Sequence, residues 1–226
     1  MTASVSEVTL APDPDLPLLH TRGYDVRSFR ISDSALLLRG SVIDRKPPGW
    51  FIAEDPDPLV IHHIAVDLTV HFPDMVITAI DVHFEAFPQV YCDSIIGSYD
   101  ALVGLSITRG FVKTVKELFG GPRGCSHVGA LLQAMAPVAV QSVWSMQAMN
   151  RQEAGQPVAP MAATTEERIG PSRNTCHVWA DEGPMIPRLM EGEVVPVMLT
   201  VKRRLADLGI DETQWYEQQR ATAERR

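Results

Sequence analysis

Apolar and polar residues alternate along four stretches in the first half of the chain, the period-two signature of half-buried strands. Residues 20–31 (HTRGYDVRSFRI) and 34–47 (SALLLRGSVIDRKP) flank the polar turn Ser32-Asp33-Ser34, and Pro47-Pro48-Gly49 closes the pair. Residues 60–70 (VIHHIAVDLTV) and 75–87 (MVITAIDVHFEAF) flank Phe72-Pro73-Asp74 in the same way. Two antiparallel hairpins are predicted. Within the third stretch Val60, His62, Ile64, Val66, Leu68 and Val70 share one face, while His63, Asp67, Thr69 and His71 share the other. On the fourth, Ile80, Val82, Phe84 and Ala86 oppose Asp81, His83 and Glu85.

After Pro88 the period becomes helical. Ile95, Ile96, Tyr99, Leu102 and Val103 form one apolar stripe, with Asp93 or Ser94 as its cap. Phe111, Val112, Val115, Leu118 and Phe119 form a second, capped by Thr108 and stopped at Gly120-Gly121. A third and longer helix starts at Cys125 or Ser126, with Val128, Leu131, Leu132, Met135, Val138 and Val143 on its stripe and a kink expected at Pro137. Residues 150–172 are aperiodic and rich in Ala, Pro and Gly, so they read as a loop or lid. Residues 199–208 and 211–226 read as terminal helices. The expected fold is α+β: an antiparallel sheet of two hairpins with three helices packed on one face and an irregular C-terminal part. Residues 1–19, rich in Pro and acids, are expected to be a mobile arm, residues 20–150 the α+β core, and residues 151–226 a loop or lid and C-terminal segment packing on that core.

Composition narrows the functional classes. The 226 residues are 45% apolar and 21% charged, with a net charge of −8, an ordinary globular balance. A pI near 5.3 without a Lys/Arg run argues against nucleic acid or an anionic membrane as partner. No signal peptide is recognisable, and no uninterrupted apolar run approaches the ~18 residues of a span. A cytoplasmic location and a small-molecule partner are expected, and a homo-oligomer is compatible with the sequence. Cys92, Cys125 and Cys176 are widely spaced, which fits free thiols rather than a disulfide framework. Signatures of nucleotide, dinucleotide, α/β-hydrolase and HExxH chemistry are missing.

Candidate chemistry concentrates in two places. His62 interrupts an apolar row, where it is either a satisfied core histidine or a base at a pocket floor, and His83 and Glu85 lie on the polar side of the neighbouring strand. The polar side itself is either a solvated face or a covered acid–base surface. The segment Gly120-Gly121-Pro122-Arg123-Gly124-Cys125-Ser126-His127 delivers a thiol and an imidazole to a helix start, where anions are favoured; a plain glycine turn with a Ser126 cap explains it as well. His62, His127, His83 and Glu85 are the catalytic candidates; Arg123, Cys125 and Cys92 are the substrate-binding ones. No cofactor is required. A metal, if bound, would be held by Cys92, Cys125 and His127.

Asp44 and Lys46, Ile61-His62, Leu68-Thr69, Asp74, Pro88, Cys92, Leu102-Val103-Gly104-Leu105, Gly110, Gly120-Gly121 and Gly124-Cys125-Ser126-His127 together resemble the bacterial domain-of-unknown-function family 2889. The resemblance spans residues 20–150, with a weaker echo at Asn174-Thr175-Cys176. His62-His63-Ile64 and His71-Phe72-Pro73 depart from its usual pattern. The resemblance implies no activity; it adds weight to His62, Cys92, Cys125 and His127 as a set. The resulting expectation is a lyase without organic cofactor. It would abstract a proton and eliminate water or formaldehyde from an aromatic or hydroxylated catabolic intermediate. The alternatives are a metal or iron–sulfur handling module, to which a loose topological likeness exists, and a non-catalytic ligand-binding protein.

Overall fold

In a computed structural model the described residues are 12–156, 166, 169–170, 172–193 and 198–224, side chains being described as far as 218. The chain divides into two compact units, Met1–Trp144 and Ser145–Arg226.

The first unit is built on a four-stranded antiparallel meander in the order β1 (Thr21–Arg30), β2 (Ala35–Lys46), β3 (Leu59–His71) and β4 (Val76–Ala86). The alternation in the sequence is the alternation in the sheet. Leu36, Leu38, Gly40, Val42 and Asp44 of β2 are all buried, as are Ile64, Val66, Leu68 and Val70 of β3. The opposite side of the sheet is polar and wet: Arg39 pairs with Asp67 at 2.6 Å, and the exposed His83 contacts the exposed Asp81. At one end of β4 the backbone of residues 104–107 adds a further short pairing, with Ile77 N–H donating to Leu105 O and Ile107 N–H to Met75 O.

Three helical elements follow, as expected, with different ends. The first, Cys92–Leu102, is a 3-10 helix entered through Tyr91 in the left-handed region, with no side-chain cap. Helix α1 (Phe111–Phe119) is entered through Gly110 at φ 68°, a conformation glycine adopts without strain, rather than capped by Thr108. Helix α2 (Ser126–Glu153) continues through Pro137 and extends past Asn150, into what the sequence reads as loop.

Its buried stripe is Val128, Leu131, Leu132, Met135, Ala139, Ser142 and Met146; Val138 and Val143 are only half-buried. Helix α2 is long and apolar enough to cross a membrane by length and composition. In this fold Leu131 and Met135 of that stripe pack on the sheet, where a Cβ built on Gly40 would meet Met135 Sδ at 2.9 Å and Leu131 Cδ1 at 3.1 Å.

In the second unit Ile169, Ile186 and Leu189 form a small core with Trp179 and Met185 against it. It also holds the short helix α3 (Ile186–Met190), with Pro187 in its first turn, where a missing N–H is harmless. Helices α4 (Leu199–Asp207) and α5 (Glu212–Glu224) are the terminal pair. Much of the expected lid, residues 157–165 in particular, and residues 1–11 of the expected arm lie outside the described residues. Residues 12–19 are exposed and irregular.

A candidate acid–base site

Three neighbouring strands place one residue each in a single cross-strand row. Asp44 of β2 is paired with Arg22 of β1 on one side and with His62 of β3 on the other. The β2–β3 register shifts between Asp44 and Arg45, so Asp44 faces His62 while Arg45 faces Val60 and Ile61 is left over. Such a bulge re-aims a side chain at the end of a ladder.

The helix layer supplies the fourth member. Gly124 lets the chain fold back past Phe119, since a Cβ there would lie 2.7 Å from both the Cβ and the carbonyl oxygen of Phe119. The amide of Cys125 then donates to the hydroxyl of Tyr99 at 2.9 Å, and the Cys125 carbonyl accepts the first helical bond from Gly129 N–H at 3.0 Å. Tyr99 is fully buried and burial pushes its hydroxyl pKa up to about 12, so it stays protonated. Helix α2 therefore starts at a fixed point, and His127 in its first turn comes down onto the row.

The Asp44 carboxylate is the hub. Arg22 grips it with Nε on Oδ1 and Nη2 on Oδ2, both at 2.6 Å. His62 Nδ1 and His127 Nε2 each lie 3.1 Å from Oδ2, and His20 Nε2 is 3.4 Å from Oδ1. The two imidazoles stack with ring centroids 3.8 Å apart. The Asp44 side chain is 2% exposed, against 20% for His62 and 15% for His127. The hub is sealed and its two rings reach the surface.

Electrostatics fix the protons. Arg22's hydrogen bonds hold the Asp44 carboxyl well below the usual carboxylate range, outweighing burial, with Coulombic help from Arg22, His127 and His20. Arg22 is raised in turn by its bonds to Asp44. His127 is pushed below the ordinary histidine value by burial first, then by His62 and Arg22, against the pull of Asp44. A carboxylate accepts hydrogen bonds and donates none, so each ring nitrogen facing it carries a proton. A neutral His127 protonated at Nε2 has its lone pair on Nδ1, and Nδ1 lies 3.7 Å from Cys125 Sγ. His62 donates through Nδ1, and its Nε2 has no protein partner among the described residues, on a side chain that is 20% exposed.

The sequence expectations divide accordingly. His62 and His127 meet, and Cys125 touches His127. His83 and Glu85 do not join them: both are exposed on β4, and His83 is occupied by Asp81. Arg123 turns back to the end of α1, where Nη2 donates to the Lys116 carbonyl at 3.3 Å. Cys92 is half-buried at the start of the 3-10 helix, its amide bonded to the Gln89 carbonyl.

The metal set expected from Cys92, Cys125 and His127 is not assembled. Among the described residues the group with metal-ligand spacing is Asp44, His62 and His127, whose ligand atoms lie within 4.8 Å of one another. A cation there would have to displace donors already on Asp44, since Arg22 Nη2, His62 Nδ1 and His127 Nε2 face Oδ2 while Arg22 Nε and His20 Nε2 face Oδ1. With its oxygens so engaged, Asp44 joins the two imidazoles and Arg22 into one hydrogen-bonded cluster.

Asp44, Arg22, His20 and Tyr99 were not singled out as site residues by sequence reasoning. A signal for Asp44 was present: an acid continues the inward row Leu36, Leu38, Gly40, Val42 of β2, as His62 does in β3.

A meander and a covering helix that bury one carboxylate under two imidazoles define an α+β protein with an internal acid–base cluster. Residues 20–141, more than half of the chain, match the family described as "Protein of unknown function (DUF2889)", and the chain belongs to that family. No curated protein and no solved structure matches it.

Proposed function

We propose that the chain is a lyase acting on a small aromatic or hydroxylated catabolic intermediate, with His62 and His127 as its acid–base pair and no organic cofactor. The observation that carries this reading is the shared Asp44 carboxylate, which accepts from both rings and leaves the lone pair of each on its second nitrogen. His62 Nε2 takes a proton from the substrate, and the imidazolium so formed is stabilised by Asp44 directly behind it. When water is lost, the electron pair of the broken C–H bond forms the new double bond. The departing hydroxyl then receives the proton back from His62. When formaldehyde is lost, the proton comes from a hydroxymethyl oxygen, the C–C bond breaks, and the carbanion left behind is protonated by the same imidazolium. The acidic balance of the chain, −8, supports a small-molecule rather than nucleic-acid partner, and a cytoplasmic setting accords with its three free thiols.

The test is turnover of a panel of hydroxylated aromatic compounds, read as a new conjugated absorbance or as released formaldehyde. His62→Gln is expected to lower the rate by about 10²–10⁴-fold, while His83→Gln, on the wet face of β4, leaves it unchanged. Wild-type rates in a folded His62→Gln variant contradict the assignment.

A further inference from the structure

Beyond elimination, the site contains a second reactive group. We propose that Cys125 is a nucleophile, activated by His127 and Asp44, that adds reversibly to the carbonyl carbon of an aldehyde. The geometry is that of a nucleophile, a base and a group orienting the base. Cys125 Sγ lies 3.7 Å from His127 Nδ1, and His127 Nε2 lies 3.1 Å from the buried Asp44 carboxylate. Donation to Asp44 selects the tautomer in which Nδ1 carries the lone pair, so the ring is set to receive the thiol proton. Cys125 is half-buried rather than sealed, unlike an inert structural cysteine, so a small electrophile can reach it. Its backbone is pinned by the Tyr99 hydroxyl, which keeps the sulfur at the mouth of α2.

An aldehyde is the class that the available groups can serve without help. The Sγ–H proton passes to His127 Nδ1, the thiolate attacks the carbonyl carbon, and the C=O π pair moves onto oxygen. That oxygen then takes the proton back from Nδ1, giving a thiohemiacetal and a neutral imidazole. No leaving group, water, oxidant or reductant is needed. Helix α2 begins at Ser126, and the amides of a helix's first turn lack intrahelical acceptors, so negative charge developing beside Cys125 is favoured by the positive end of the helix.

Three cysteines in one chain provide the controls. Under iodoacetamide at neutral pH, followed by peptide mapping, Cys125 is expected to alkylate about 10-fold faster than the exposed Cys176. His127→Gln and Asp44→Asn are each expected to remove that advantage while Cys176 keeps its rate; an unchanged rate at half-buried Cys92 certifies the fold. A Cys125 no faster than Cys176 in the wild-type protein overturns the relay, with no variant required. Excess propanal is expected to protect Cys125 selectively, and fast alkylation without protection overturns the aldehyde assignment. Alkylation is read without turnover, so failure of the lyase reading and failure of this one are separate results.

Discussion

Asp44→Asn is expected to lower turnover in the proposed reaction by about 10²–10⁴-fold and to destabilise the fold by about 3 kcal/mol, the low end of the ~3–5 kcal/mol typical of breaking a buried ion pair. The low end applies because Arg22 is 36% exposed and water screens part of the loss. The amide keeps the shape but loses the charge that compensates Arg22, and its NH₂ must face two ring N–H groups or the guanidinium. One side of the carboxamide is then a donor facing donors. The activity loss follows because neither ring retains an anion behind it when it takes a proton, for which about 10²–10⁴-fold is expected.

The same substitution alters the acid response. Asp44 has a folded value below its ordinary 3.8, so its contribution is complete above 3.8 and is lost as pH falls through the folded value. His127, held below 6.5, also favours the fold above 6.5 and opposes it as acid charges the ring. Urea midpoints of the wild-type protein should therefore fall from pH 7 to pH 3. Asp44→Asn should begin lower at pH 7 and fall less.

Gly40→Val is expected to cost about 2–3 kcal/mol, as overpacking of a filled core does, read by urea unfolding through tryptophan fluorescence. The new Cβ would stand 2.9 Å from Met135 Sδ and 3.0 Å from Met135 Cγ, and Met135 is fully buried. Helix α2 would have to lift from β2, and His127, at the head of that helix, would lift with it. Turnover is thus expected to fall along with stability, although Gly40 touches no member of the cluster. Gly40→Val combined with Met135→Ala should recover part of the stability, because the methyls then occupy the volume the thioether vacates. A Gly40→Val variant as stable as wild type contradicts the packing of α2 on the central strand.

These two positions also show what the sequence could and could not convey. The period-two rows of β2 and β3 and the stripe of α2 come from local side-chain periodicity, so both hairpins and the long helix were legible. Helix ends were less so. Gly110 opens α1 through its left-handed backbone, and Cys92–Leu102 winds as a 3-10 helix, neither of which periodicity encodes. In a strand pattern Gly40 reads only as a weak point; that it is a landing place for Met135 depends on a helix some 90 residues onward.

The site follows the same logic. His62 and His127 stood out because a histidine in an apolar row and a histidine at a glycine-led helix start are locally unusual. Asp44 is 18 residues from His62 and 83 from His127, so its role exists only after strand pairing and helix docking bring them together. His83 and Glu85 looked equivalent to His62 by residue type. The buried side of the sheet, not the residue type, distinguishes them.

The account rests on one carboxylate holding two imidazoles, and long-range ¹H–¹⁵N NMR of the histidine rings reads that directly. The expected spectrum has His127 protonated at Nε2, gaining its second proton only below the ordinary value of 6.5, and His62 protonated at Nδ1, with the ring signals of both displaced in Asp44→Asn. A His127 ring protonated at Nδ1 when neutral, or ring signals indifferent to Asp44→Asn, would contradict it.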